Sequence, residues 1–187
     1  MSTEHLILGE TKDFITGKTI TDTHDERARQ KIARFLVEKK GYEKGDIEIQ
    51  RKIPLLVDGK KAFAKLDFVV KVEGKVFAVI KFGPGSMVTR QRPTLAAARL
   101  VEDYEIPLAV ITNGQDAEIM ETKSGKVIGR GLESIWPKKE TQDRVGRITF
   151  EKIEEHRLEK EQRILYAFEV LAQKECDDFV CNGRDFE

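Results

Sequence analysis

The sequence predicts an α/β sandwich built on a mixed sheet, and three observations lead there. Apolar residues recur at helical spacing over 24–40 and 151–174, whereas 47–54, 64–82 and 106–112 carry strand-like apolar runs. The elements follow the order helix, three strands, helix, strand and small hairpin, an order that suits a sheet covered by helices. Alanines 96, 97 and 98 give the middle helix a surface small enough to lie close against that sheet.

Each element has a local reason. Thr23 is a capping residue, and Asp25 and Glu26 place acids in the first turn of a helix that runs to about Lys40 and stops at Gly41. Ala28, Ile32, Phe35 and Leu36 form its buried stripe, with Arg27, Lys31, Arg34 and Glu38 on the wet side. Residues 47–54 alternate as a strand. Residues 64–72 and 75–82 read as two strands joined at Glu73-Gly74, and Gly83-Pro84-Gly85-Ser86 then breaks the chain. A helix is expected over 93–104 and a buried strand over 106–112. A short hairpin is expected over 117–121 and 126–128, turning at Ser124-Gly125.

Three segments frame the domain: 1–23, a polar lead-in; 24–136, the core; and 137–187, a charged connector over 137–149 and then a long helix. Ile153, Ile164, Leu165, Phe168 and Leu171 are that helix's apolar positions, and 151–174 either packs back on the core or pairs with a second copy. Trp136-Pro137 reads as a plug at the end of the core.

A chain of 187 residues, 40% hydrophobic, suits one domain with an appended helical element. Lys plus Arg equals Asp plus Glu at 33 each, so any basic footprint must be local. Cys176 and Cys181 are too few for a disulfide scaffold and fit a reducing compartment. With His156 they are also too loosely spaced for structural zinc. No run approaches the roughly 20 apolar residues of a membrane span, so a soluble, cytoplasmic protein is expected. Gly17-Lys18-Thr19 is similar to the end of a phosphate-binding loop, but Lys12 stands where that loop needs glycine, and a plain turn is the better reading.

The candidate site is Lys65-Leu66-Asp67 with Lys81 and Gly83. A strict two-residue turn at Glu73-Gly74 sets Asp67 opposite Ile80 and sends Lys81 to the other side. A three-residue loop, with Gly74 left-handed in a bulge, sets Asp67 opposite Lys81 and Lys65 opposite Gly83. The second register is favoured, because it keeps these positions on one face.

Over residues 24–121 the chain resembles the N-terminal domain of the R subunit of type I restriction enzymes, a branch of the PD-(D/E)xK nuclease superfamily. The resemblance is carried by Glu26, Arg29-Gln30, Leu36 and Gly41-Tyr42 in and after the first helix, then Leu66-Asp67, Gly74 and Ala78-Val79-Ile80. The alanine-rich helix and 108–112 with Asn113-Gly114 complete it. It implies a restriction-endonuclease-like core, with Asp67 and Glu26 as ligands of Mg²⁺. Lys81 stands at the second acid's position and Gly83 at the lysine's. Sliding the motif onto Val79-Ile80-Lys81 keeps the lysine and still lacks the acid. The implied function is DNA interaction, with a degenerate site in which Asp67, Lys81, Lys65 and Glu26 would carry any cleavage. Arg90, Arg92 and Arg99 are the expected DNA contacts, with Lys60 and Lys61 read as a solvated face. The implied partners are DNA and other restriction–modification subunits, and the alternative is an inert scaffold that dimerises through its last helix.

Overall fold

The computed structural model describes residues 7–171. Helix α1 (His24–Glu38) begins where the sequence caps it: Thr23 Oγ1 accepts the backbone N–H of Glu26 at 3.1 Å. Six strands, β3 (Ile47–Val57), β4 (Lys60–Val72), β5 (Lys75–Phe82), β6 (Leu108–Thr112), β7 (Ala117–Glu121) and β8 (Val127–Arg130), lie side by side in chain order. All neighbours are antiparallel except β5 and β6, which are parallel and joined through α2 (Val88–Leu100). The α/β class and the mixed sheet are as the sequence predicts.

Helices cover both faces. Ile32, Ala33 and Leu36 of α1 pack with Phe68, Val70, Ile80 and Val110 on one side. Ala96, Ala97 and Ala98 of α2 pack with Val69, Val79, Ala109 and Ile111 on the other, joined by Leu165 of α4 (Glu155–Tyr166). The three alanines are essentially inaccessible, so the small-residue surface lets α2 sit close to the sheet.

Several segments differ from the sequence reading. The polar lead-in contains a separate antiparallel pair, β1 (Gly9–Lys12) and β2 (Thr19–Asp22). Both strands are four residues long and mostly exposed, so they leave no apolar period to read. Gly17-Lys18-Thr19 falls at their turn, where Gly17 N–H donates to the Asp13 carbonyl. Strand β3 continues past Pro54 to Val57 and closes on Asp58-Gly59. Proline is tolerated because β3 is an edge strand, which needs no donor on its open side. Helix α2 starts at Val88 rather than at Pro93, which lies inside it and removes one helix hydrogen bond. The connector holds α3 (Lys138–Val145), with Thr141 and Val145 buried. After α4 comes a single π turn, Ala167–Leu171. The last helix packs on α2, β3 and β4, with Leu165 fully buried, while Phe168 stays half exposed and is not central to that packing. Cys176, Cys181 and His5 lie outside the described residues.

The β4–β5 register is the favoured one, but it arises elsewhere. Val72 pairs with Lys75, so Glu73-Gly74 is a two-residue turn with φ of 51° and 76°. The extra residue comes later: Lys71 pairs with Val76 and Val70 with Ala78, which leaves Phe77 as a bulge. Packing explains the position. Phe77 and Ala78 are consecutive yet both lie in the core under α1, while Val76 and Val79 lie in the other, and Phe77 reaches the Trp136 ring at 5.8 Å.

Asp13 ties the β1–β2 turn to α1. Its carboxylate accepts from Thr16 N–H at 2.6 Å, Thr16 Oγ1 at 2.8 Å and Gln30 Nε2 at 2.8 Å. Burial pushes its pKa up, but these hydrogen bonds outweigh burial and hold it below the ordinary value. A depressed carboxyl pKa gives stability that is present above the unfolded value of about 3.9 and is lost as pH falls through the folded one. An acid urea titration should therefore show that Asp13→Asn is less stable than the parent at neutral pH, with the difference closing below about pH 4.

Candidate functional site

Asp67 stands where β4 changes sides. Leu66 faces the core under α2, whereas Phe68 faces the core under α1, although the two are one alternation apart. The β3–β4 ladder skips the Gln50–Asp67 pair, and Gln50 has φ of 50°. This break frees Asp67 for other partners. Asp67 Oδ2 accepts the Phe82 N–H at 2.8 Å, so a carboxylate holds the end of β5. Its other oxygen accepts Arg29 Nε at 2.6 Å. Arg29 Nη1 also lies 3.6 Å from Glu26 Oε2, and its guanidinium is 5.5 Å from the Phe82 ring centre.

Arg29 therefore bridges Glu26 and Asp67. Burial works against its charge, but the attraction and hydrogen bond of Asp67, with the attraction of Glu26 and Asp25, raise its pKa above the ordinary value. Glu26 is buried as well and accepts Gln30 Nε2 at 2.7 Å. The i, i+3 spacing of Glu26 and Arg29 puts both on one helix face, a sequence signal that marks the bridge.

Lys81 and Lys65 join neither carboxylate of that bridge. Lys81 is buried on the α2 and α4 side of the sheet, where its ammonium pairs with Glu169 from the π turn. Lys65 is exposed and lies across from Lys52. The sequence expectation that Asp67, Lys65 and Lys81 share one face gives way to an Asp67–Arg29 pair, because the kink at Asp67 turns its side chain toward α1. Among the described residues, no three His, Cys, Asp or Glu side chains come together in a metal-holding group.

The three arginines of the expected DNA rim separate into two environments. A Cβ built on Gly83 would fall 1.4 Å from Arg90 Nη1, so Arg90 fills the space that a side chain at position 83 would enter. No carboxylate pairs with Arg90 among the described residues. Arg92 and Arg99 instead meet Glu161 of α4, which is 2% exposed. Arg99 Nη1 donates to Glu161 Oε1 at 2.8 Å. Arg92 Nη1 stands 2.7 Å from Oε2, an ion pair by distance whose angle is too poor for a hydrogen bond. Burial pulls the Arg99 pKa down; Glu161 opposes this, and Arg157 and Arg92 add to it. Nothing in the sequence spacing couples 92 and 99 to 161, so Glu161 was not legible there. Lys60 and Lys61 are exposed, as expected.

A cavity of about 830 Å³ lies elsewhere, between α3 and the β6–β8 strands, with Trp136, Arg144 and Arg147 among its walls. None of the candidate residues lines it.

The fold is thus an α/β sheet domain with a charged strand-end site and a docked C-terminal helix. Residues 24–136, more than half of the chain, match the family described as the type I restriction enzyme R protein N terminus (HSDR_N), and the chain belongs to that family. No curated protein and no solved structure matches it. No helix among the described residues is long and apolar enough to cross a membrane.

Two substitutions test the two ion-pair clusters by urea unfolding. Arg29→Ala removes the bridge and should cost about 2 kcal/mol, the scale of a charged hydrogen bond. Glu161→Ala takes the hydrogen-bonded carboxylate from Arg99, leaving it Glu105 at 3.6 Å and the Thr122 carbonyl, and should cost about 3 kcal/mol. A loss below about 1 kcal/mol at Glu161 would mean that α4 does not stay docked in solution.

Proposed function

We propose that this chain is a DNA-holding member of the restriction R-protein family whose strand-end site does not support metal-dependent cleavage. The Arg29 bridge carries the reading. A Mg²⁺ ion needs hard oxygen ligands converging on a shared space. Between Glu26 and Asp67 that space is taken by a guanidinium, a cation fixed by the chain itself. At the second-acid position Lys81 adds another positive charge, already paired with Glu169. As arranged, Glu26 and Asp67 do not fit the Mg²⁺ that the PD-(D/E)xK resemblance implies, and no catalytic step is routed through it.

What supports DNA contact is the family together with Arg90. The guanidinium over Gly83 lies just past the end of β5, and with no carboxylate paired to it among the described residues it can take a phosphate. Arg92 and Arg99 do not share this role, since Glu161 engages them both. In this reading the domain holds DNA within a restriction–modification assembly while cleavage belongs to other parts. A second reading, dimerisation through 151–174, is favoured only by the half-exposed Phe168 on the last turn. Sedimentation that depends on concentration and weakens in Phe168→Ala would support it.

The test is incubation of the protein with supercoiled and linear DNA in Mg²⁺ and in Mn²⁺, beside Asp67→Ala. The expected result is no cleavage, no sub-millimolar binding of either metal by calorimetry, and a DNA gel shift that weakens with salt and in Arg90→Ala. Cleavage that Asp67→Ala abolishes would overturn the proposal.

A further inference from the structure

Strands β3 and β4 extend beyond α1 as a two-stranded ribbon that turns at Asp58-Gly59. One face of this ribbon is Ile53, Leu55, Val57, Ala64 and Leu66, buried or nearly so. The α4 helix covers that side, and its Gln162 Oε1 accepts the Leu56 N–H at 2.9 Å. The opposite face consists of the cross-strand pairs Lys52–Lys65, Pro54–Phe63 and Leu56–Lys61, and all six residues are exposed.

The composition of this face is unusual for a chain of zero net charge. It holds three lysines and no acid, and none of the three lysines is in an ion pair among the described residues. Phe63 is 49% exposed and Leu56 59% exposed, two of the most exposed large apolar side chains described. Lys52 Nζ lies 4.5 Å from the Phe63 ring centre, a cation–π contact on one face of the ring. The nearest acids are engaged: Asp58 with Arg163, Glu48 with Lys71 and Arg51, and Asp67 with Arg29. From Lys61 to Asp67 the face runs roughly 20 Å and ends at the Asp67–Arg29 pair.

We propose that this ribbon face binds single-stranded nucleic acid, with Lys52, Lys61 and Lys65 along the phosphates and Phe63 as a platform on which an unpaired base stacks. The inference rests on the reading of the chain as a DNA-holding domain and adds the surface and the strand form. Charge complementarity selects the occupant. A polyanion matches an all-cation strip, while an exposed aromatic amid lysines is the pairing that sequence-tolerant single-strand binders use. A second copy is disfavoured, because a two-fold contact of this face with itself brings lysine against lysine. A flat strip also offers no walls or hydrogen-bonding groups for reading a base edge, so little sequence preference is expected.

The test is fluorescence anisotropy with labelled oligothymidylate and with a duplex of the same length, at two salt concentrations. The variants are Phe63→Ala, the pair Lys52→Ala with Lys65→Ala, and Arg90→Ala. All replaced side chains on the ribbon are exposed, so the fold survives, which circular dichroism melting checks. Single-strand binding tighter than duplex binding is expected. Phe63→Ala should weaken it about tenfold with the salt slope unchanged. The lysine pair should weaken it and lower the salt slope by about 1.4. Single-strand binding that neither ribbon variant changes overturns the inference; if Arg90→Ala still weakens DNA binding, the reading of the domain survives. Loss on the duplex alone overturns the single-strand assignment. Binding to anionic vesicles but to no oligonucleotide overturns both.

Discussion

Arg29 lies between two carboxylates that come from different parts of the fold, Glu26 one turn earlier on the same helix and Asp67 on a central strand. Asp67 passes the connection on to the Phe82 N–H, and Glu26 passes it through Gln30 to Asp13. A continuous polar path thus crosses from the β1–β2 turn, through α1, to the end of β5. Its members are partly or fully buried, so each charge depends on its neighbours for solvation that water no longer supplies. This sets the angle at which α1 meets the sheet. It also fixes a cation between Glu26 and Asp67.

The opposite side of the sheet follows the same constraint with different parts. Glu161 and Glu169 come in from the last helical segment and meet Arg92 and Arg99 on α2 and Lys81 on β5. Alanines bring α2 close to the strands, and the buried Arg99 ends among Glu161 of α4, Glu105 and the Thr122 carbonyl, with Arg92 reaching the same Glu161. Much of the chain's balanced charge is used internally in this way. Among the described cations outside those pairs are Arg90 over Gly83 and three lysines that share one face of the β3–β4 ribbon, Lys52, Lys61 and Lys65. A composition with no net charge therefore still leaves one strand-ribbon face that carries lysines and no acid.

Much of the fold could be read from residue order. The Thr23 cap, the stripe of α1, the Glu73-Gly74 turn and the alanines of α2 are local signals, and local geometry obeyed them. The four-residue strands before Thr23 were not legible, because exposed strands carry no apolar alternation. The ribbon past Pro54 was missed, although Asp58-Gly59 is a turn signal of the same kind as Glu73-Gly74. The register of Asp67 against Lys81 was expected for a reason that proved different: the extra residue sits at Phe77, which with its neighbour Ala78 enters the same core. Of the candidate site, Asp67 and Glu26 do come together, through an arginine three residues along the helix, while Lys65 and Lys81 go elsewhere.

By itself the sequence determined the α/β class and the caps and turns, because each of these depends on a residue and its near neighbours. Only the tertiary structure decided what the charges do. Whether Asp67 faces a lysine, a metal or Arg29 depends on a strand that changes sides at one residue. Whether Arg92 and Arg99 face solvent depends on a helix about sixty residues later in the chain. Side-chain charge is written in the sequence, but its partner is chosen by burial, which exists only once distant segments have packed.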